Sequence, residues 1–337
     1  MTQLPYDPAT QSWLRSAARA ADWFEARLDD RSRLPGELHD LGSYYKWPLF
    51  LCTLGRFERA QAVFQTIVDD FMTEEGDFRT GEEKSADSLY GLIADSYTNT
   101  WPIAAARVLG RPDVAQPALE CLRQRRIDAT GGFLTGFPGQ HADQRQDIVT
   151  IAGCGNAFLA WEELDCATAA GDCLIDVVEM QQGPADLFHL YIDGEGRIST
   201  DLDIPEQLTS IRLDQPDQVY VYLGMAAVFL ARLFAATGER RFLDGAEAYF
   251  AVNRACGEQV YRGTGCCKTG WAAATLYRLT GGEEYRQCAQ RAAVEVLARQ
   301  QEDGSWPART GSTILGCDAT GELAYHLVQY CMELAAY

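Results

Sequence analysis

Leu54-Gly55-Arg56 and Gly76-Asp77-Phe78, met again as Leu109-Gly110-Arg111 and Gly131-Gly132-Phe133, decide the fold of this chain. The first mark recurs after 55 residues, Gly55 to Gly110, and so does the second, Gly76 to Gly131. Two independent marks with one period define an internal repeat. The first mark returns as Thr237-Gly238-Glu239 and Thr280-Gly281-Gly282, and the second as Gly304-Ser305-Trp306. Each mark of the first kind follows an apolar stretch, where a glycine past the last helical turn ends the helix in the left-handed conformation. Each precedes an amphipathic segment. After Gly281, Tyr285, Cys288, Ala289, Ala292 and Val296 form one face, while Glu284, Arg286, Gln290 and Arg291 form the other.

Working outward, this rhythm predicts amphipathic helices near 10–28, 56–72, 112–127, 167–181, 240–255 and 283–300. More uniformly apolar helices are predicted near 44–54, 88–109, 148–163, 219–237, 269–280 and 319–334. The two kinds alternate strictly. Helices with one wet face belong outside and helices apolar all round belong inside. The prediction is one all-α domain over 1–337, an (α/α)6 toroid of inner and outer helices. One small β-hairpin is predicted in the long connection 183–217, with Phe188–Ile192 and Arg197–Thr200 as its strands. Inner-to-outer turns are short. Outer-to-inner loops are long, polar and aromatic, so function is expected at their end, where inner helices begin.

The chain has 337 residues, 47% hydrophobic, with a formal net charge of −19. Such a field argues against nucleic acid as a partner. Met1 to Asp7 has neither the basic nor the apolar region of a secretory signal. No apolar run is long enough to span a membrane; the greasiest, Val219 to Ala236, is interrupted by Arg232 and reads as a buried helix. The eleven cysteines are scattered through helical segments and odd in number. They read as small hydrophobes of a reduced, cytoplasmic protein. No glycine-rich nucleotide loop occurs, so no cofactor is predicted. The composition is silent on oligomeric state.

Gln300-Gln301-Glu302-Asp303-Gly304-Ser305-Trp306 resembles the Gln…Gly-x-Trp turn of the terpenoid cyclase and protein prenyltransferase superfamily. The alternating layout is similar to that superfamily over nearly the whole chain. It is equally similar to the six-hairpin glycosidases and sugar epimerases, and to the lanthipeptide cyclases. The resemblance implies a toroid, and does not fix a reaction. The Asp-x-Asp-Asp motif of acid-initiated terpene cyclases is missing: Asp29-Asp30 and Asp201-Leu202-Asp203 are the nearest approaches. The several catalytic histidines of the epimerases must be drawn from His39, His141, His189 and His326 alone. Prenyltransferases and lanthipeptide cyclases place zinc at inner-helix starts, which implies Cys266, Cys317 and His326 as a weak candidate set. Lys268 beside Cys266-Cys267 makes buried packing the better reading of those thiols.

Carboxylates at the inner-helix starts are the candidate acids and bases: Asp147, Asp217, and Asp318 with Glu322 one helical turn on. Asp147, Asp217 and Asp318 each also read as a helix N-cap. Two carboxylates sharing a low-dielectric pocket push their pKa values apart, the usual basis of acid/base pairs. Tyr45 and Tyr220 are candidate proton donors or acceptors. Lys46 and Lys268 are either surface lysines at the rim or, against a buried wall, must pair with a carboxylate or hold an anionic group of the substrate. Tyr90, Tyr97, Asn99, Trp101, Trp271 and Tyr325 are candidates for an aromatic cavity lining, and His189 and Tyr191 for a binding loop. Together these point to an intracellular enzyme of terpenoid-cyclase-like fold acting on a small or medium organic substrate. Its chemistry would be non-redox acid/base catalysis: cyclisation, isomerisation or elimination. A six-hairpin glycosidase or polysaccharide lyase acting on an oligosaccharide is the alternative, and a non-catalytic small-molecule binding protein the third reading.

Overall fold

A computed structural model describes residues 8–82, 84–85, 95–181, 186–308 and 310–335. Outer helices are α1 (Pro8–Glu25), α3 (Phe57–Phe71), α5 (Pro112–Arg123), α7 (Leu164–Glu179), α9 (Arg240–Ala255) and α11 (Glu283–Leu297). Inner helices are α2 (Trp47–Thr53), α4 (Asp95–Leu109), α6 (Ile148–Ala160), α8 (Val221–Thr237), α10 (Cys267–Thr280) and α12 (Thr313–Leu334). Tyr90 and the predicted first turns of the second inner helix lie outside the described residues. Around the axis α2 packs on α4, α4 on α6, α6 on α8, α8 on α10 and α10 on α12. Helix α12 packs back on α2 and closes the ring.

Both repeat marks have physical causes. Gly55, Gly110, Gly238 and Gly281 all have positive φ at the ends of inner helices. The remaining short turn has no glycine, and Glu162 takes the left-handed conformation there at φ 63. The second mark is about packing between neighbours. A Cβ on Gly76 would fall 2.4 Å from the Pro117 carbonyl carbon of α5, and one on Gly131 would fall 2.6 Å from the Ala169 oxygen of α7. A Cβ on Gly304 would fall 2.6 Å from the Arg19 oxygen of α1. Each glycine thus lets one outer connection touch the backbone of the next outer helix, and Gly304 does so across the seam of the ring. The aromatic that follows (Phe78, Phe133 or Trp306) is buried beneath it.

Two expectations shift. The last inner helix begins at Thr313, where Ser312 caps it by accepting from the Leu315 N–H at 3.2 Å. Asp318 therefore sits inside α12 and caps nothing. The predicted hairpin is also rearranged. β2 (Leu187–His189) pairs with β4 (Ser210–Arg212), and β3 (Tyr191–Ile192) pairs with β1 (Gln146–Asp147). Only a single bridge, Ile192 to Ile198, links the two predicted strands. The extended run finds better partners on either side, at the mouth of α6 and in the returning loop.

Among the described residues no helix is long and apolar enough to cross a membrane. All eleven cysteines are free, and ten of them are buried. They serve as the small apolar residues that close helix packing needs.

Candidate active site

Four inner helices bring a charged cluster to the axis. Lys46 stands immediately before α2, Lys268 lies in the first turn of α10, and Asp318 and Glu322 lie one turn apart on α12. Lys46 Nζ is 2.7 Å from Asp318 Oδ1 and 2.7 Å from Glu322 Oε2. Lys268 Nζ is 2.8 Å from Glu322 Oε1 and 3.0 Å from the hydroxyl of Tyr97 on α4. Glu322 thus gives one oxygen to each lysine. Both lysines are buried, while Asp318 and Glu322 keep 13% and 14% of their side chains accessible inside the ring. Two cations and two anions balance, which is how a greasy ring tolerates four charges.

The balance is uneven in a way that suits chemistry. Burial works against the lysine charges, but the carboxylates outweigh it: Asp318 and Glu322 hold Lys46 above its ordinary value, and Glu322 and Tyr97 do the same for Lys268. Burial also works against Glu322, yet Lys268 and Lys46 hold it well below the usual carboxylate range. At Asp318 burial wins over Lys46, and its carboxyl is pushed up. One turn of helix therefore carries a fixed anion and a carboxyl poised to exchange a proton.

Aromatic rings surround the cluster. Lys46 Nζ lies 5.1 Å from the Tyr45 ring centroid and 5.4 Å from that of Trp101. Tyr45 also hydrogen-bonds Asp318. Tyr325 stands edge-on to Trp101 at 5.2 Å and to Trp271 at 5.7 Å. The indole nitrogens of Trp101 and Trp271, and both ring nitrogens of His326, are buried without a hydrogen-bond partner.

His326 is fully buried one turn beyond Glu322, and desolvation pushes its pKa down to about 3. The folded state keeps it neutral where the unfolded chain, near 6.5, binds a proton. Stability therefore rises with pH between about 3 and 6.5 and is lost on acidification through that window. The slope at this one residue amounts to about 2 kcal/mol between pH 6.5 and 5. Urea unfolding across that range will show this loss in the wild type and much less of it in His326→Phe.

The other candidates lie elsewhere. Asp147 is a cap: it accepts from the Thr150 N–H at 2.9 Å and from the Thr135 and Thr150 hydroxyls at 2.8 and 2.6 Å. Burial raises its pKa, but its oxygens are spent on α6. Asp217 is exposed, with φ 61, and is neither cap nor axial; Tyr220 occupies the residue before α8. The Tyr220 hydroxyl donates to the Gln215 carbonyl at 2.6 Å and so braces the long loop instead of entering the ring. His189 lies half-buried in β2, its N–H bonded to Gln181. Tyr191 is buried in β3 beside Tyr222 and Asp147. The zinc set does not converge. Cys266 Sγ faces the Ala292 carbonyl of outer helix α11, Cys317 meets Ser43, and His326 lies against Trp271. Among the described residues no cluster of three or more His, Cys, Asp or Glu side chains could hold a metal.

A second buried network was not singled out from sequence. Asp77 meets Arg79 Nη2 at 2.7 Å, Arg125 Nη2 at 2.9 Å and Asn99 Nδ2 at 2.8 Å, and it also pairs with Lys84. Lys84 donates further to the Phe78 carbonyl at 2.7 Å and lies 3.7 Å from Asp95. The Phe137 ring covers the group, 4.4 Å from the Arg79 guanidinium and 5.1 Å from that of Arg125. Burial opposes the Asp77 charge, but Lys84 and Arg125 hold its carboxyl far below the usual range. Asp95 and Asn99 stand on the side of α4 opposite Tyr97 and Trp101, so this network ties inner to outer ring. The legible signal was Asp77 itself, a charged residue where the next repeat carries Gly132.

No protein-family model matches the chain, and no curated protein matches it in sequence. Its backbone does match solved structures. A D-mannose isomerase superposes with TM-score 0.70 over 98% of this chain and 99% of its own, at 11% identity. The fold is the six-hairpin α/α toroid. A cellobiose 2-epimerase from Spirochaeta thermophila matches the toroid with TM-score 0.65 at 14% identity, over 99% of this chain and 98% of its own. An α-1,6-mannanase of glycoside hydrolase family 76 from Salegentibacter matches with TM-score 0.61 at 13% identity, over 96% and 99%. At such identities the likeness carries the fold. These toroids lie on the sugar-enzyme side of the sequence resemblance, and the terpenoid-cyclase side finds no support among them.

Proposed function

We propose that this toroid is a carbohydrate isomerase or epimerase that moves a proton at the carbon beside a sugar carbonyl. The observation that carries the reading is the Lys46–Asp318–Glu322–Lys268–Tyr97 cluster at the inner-helix starts. Such a reaction needs a base with a raised pKa, and donors placed where negative charge develops on oxygen. Asp318 is the base. Lys46 and Lys268, kept protonated by Glu322, stabilise the enediolate oxygens. Lys268 donates to the Tyr97 oxygen and so fixes that ring beside the sugar. The likeness to a mannose isomerase and to an epimerase agrees with this chemistry.

Glycoside hydrolysis is the second reading, favoured by the mannanase likeness. That mannanase is described as inactive when two aspartates are replaced by asparagine. In this chain the adjacent aspartate pairs are Asp29-Asp30, in a loop, and Asp69-Asp70, on outer helix α3. At the axis one ammonium lies 2.7 Å from both Asp318 and Glu322. Carboxylates bridged this closely cannot straddle a glycosidic oxygen and an attacking water, for which inverting enzymes leave about 6.5–9.5 Å. Glu322, held by lysines on both oxygens, is also a poor nucleophile.

A panel of aldoses, ketoses and short oligosaccharides, followed by NMR, separates the readings. Interconversion of a free sugar by the wild type, reduced about 10³-fold or more in Asp318→Asn, is the expected outcome. Release of new reducing ends from an oligosaccharide, without interconversion, favours the hydrolase. Sugar binding with neither reaction leaves only a binding protein.

A further inference from the structure

The charged cluster occupies the starts of the inner helices. A different cavity lies farther along the inner helices, with about 80 Å³ of water-accessible volume and lining from every inner helix. Its residues stand about a turn beyond their cluster counterparts on each helix: Trp101 beyond Tyr97, Trp271 beyond Lys268, Tyr325 beyond Glu322. Small residues such as Ala104, Gly153 and Ala160 leave the space.

Arg232, the charge that interrupts the apolar run of α8, lines this cavity. Its guanidinium lies 4.5 Å from the Trp271 ring centroid, donates to Gln329 Oε1 at 3.3 Å and hydrogen-bonds Tyr325. Among the described residues it makes no ion pair with a carboxylate, unlike most arginines of this chain. The Trp101 and Trp271 rings line the same space. A half-buried guanidinium without a carboxylate partner among the described residues, in an aromatic pocket, matches a planar oxyanion.

We propose that this axial cavity is a second ligand site, distinct from the charged cluster, that binds a small organic carboxylate through Arg232. The inner-helix C-termini carry partial negative charge, but that effect fades within the last turn, and Arg232 stands more than a turn before the end of α8. The chain's net negative charge is screened beyond about 8–10 Å at ordinary salt, so it slows the approach of an anion without cancelling the contact. The proposal stands whether or not the cluster acts on sugars.

Trifluoroacetate is the probe, with the full chain and 19F NMR line broadening as readout. The wild type broadens the signal, acetate reverses the broadening, and neutral trifluoroethanol shows none. Arg232→Gln weakens binding at least tenfold. Ala104→Leu fills the void without touching Arg232 and weakens it as strongly, so the test survives if the arginine variant fails to fold. Absence of broadening in the wild type overturns the site, as does equal broadening by wild type and Ala104→Leu.

Discussion

Glu322→Gln will cost this protein most of its turnover and several kcal/mol of stability at once. The carboxylate is the shared counter-ion of Lys46 and Lys268, one oxygen to each. The amide keeps the shape but leaves two buried ammoniums with Asp318 as their only anion in the cluster. Removing one member of a buried ionic network typically costs about 3–5 kcal/mol, because the survivors remain uncompensated. The catalytic loss should reach about 10²–10⁴-fold, since both oxyanion donors are displaced or deprotonated. The double variant with Lys268→Met distinguishes the two effects. It restores part of the stability, because one orphaned charge is gone, but none of the activity. Urea denaturation and turnover measured on the same preparations check this. A single variant as stable as the wild type would show that the lysines do not depend on Glu322.

Asp77→Ala should have the larger effect on stability and a small one on chemistry. It strips the common anion from Arg79, Lys84 and Arg125, two of which are almost wholly buried. The expected loss exceeds about 4 kcal/mol, a fall in Tm of roughly 6 °C. The network faces away from Tyr97 on α4, so turnover at a temperature where the variant is folded should stay within a few-fold of wild type. Thermal unfolding followed by circular dichroism, beside an assay at low temperature, reads both. A large fall in turnover with an unchanged Tm would place Asp77 in the active site.

The ring was legible in the sequence because its causes are local and repeated. Gly55 and Gly110 end inner helices, and Gly76, Gly131 and Gly304 touch the next outer helix, so the period and the alternation follow directly. The pairing of Asp318 with Glu322 was legible for the same reason, since one helical turn fixes their shared face. That Lys46 and Lys268, if buried, would need a carboxylate or an anionic ligand followed from the cost of burying a charge. Which carboxylate each would find did not follow, because residues 46 and 322 meet only when the ring closes. Asp147 and Asp217 were ambiguous, since a cap and a catalytic carboxylate occupy the same place in a sequence. The fold makes the first a cap and leaves the second on the surface. Lys84 and Arg125 lie in connections without periodicity, and only the closed fold brings them to Asp77. The same holds for Arg232, which in sequence is merely an interruption of a greasy helix.

Solvent deuterium tests the central claim most directly. In D2O, a sugar that the wild type converts should gain one deuterium at the carbon beside its carbonyl, read by proton NMR and mass spectrometry. Asp318→Asn, folded to the same Tm, should incorporate it at least 10³-fold more slowly. Conversion without any exchange of that carbon's proton with solvent, undiminished in Asp318→Asn, would contradict a proton transfer through this carboxyl.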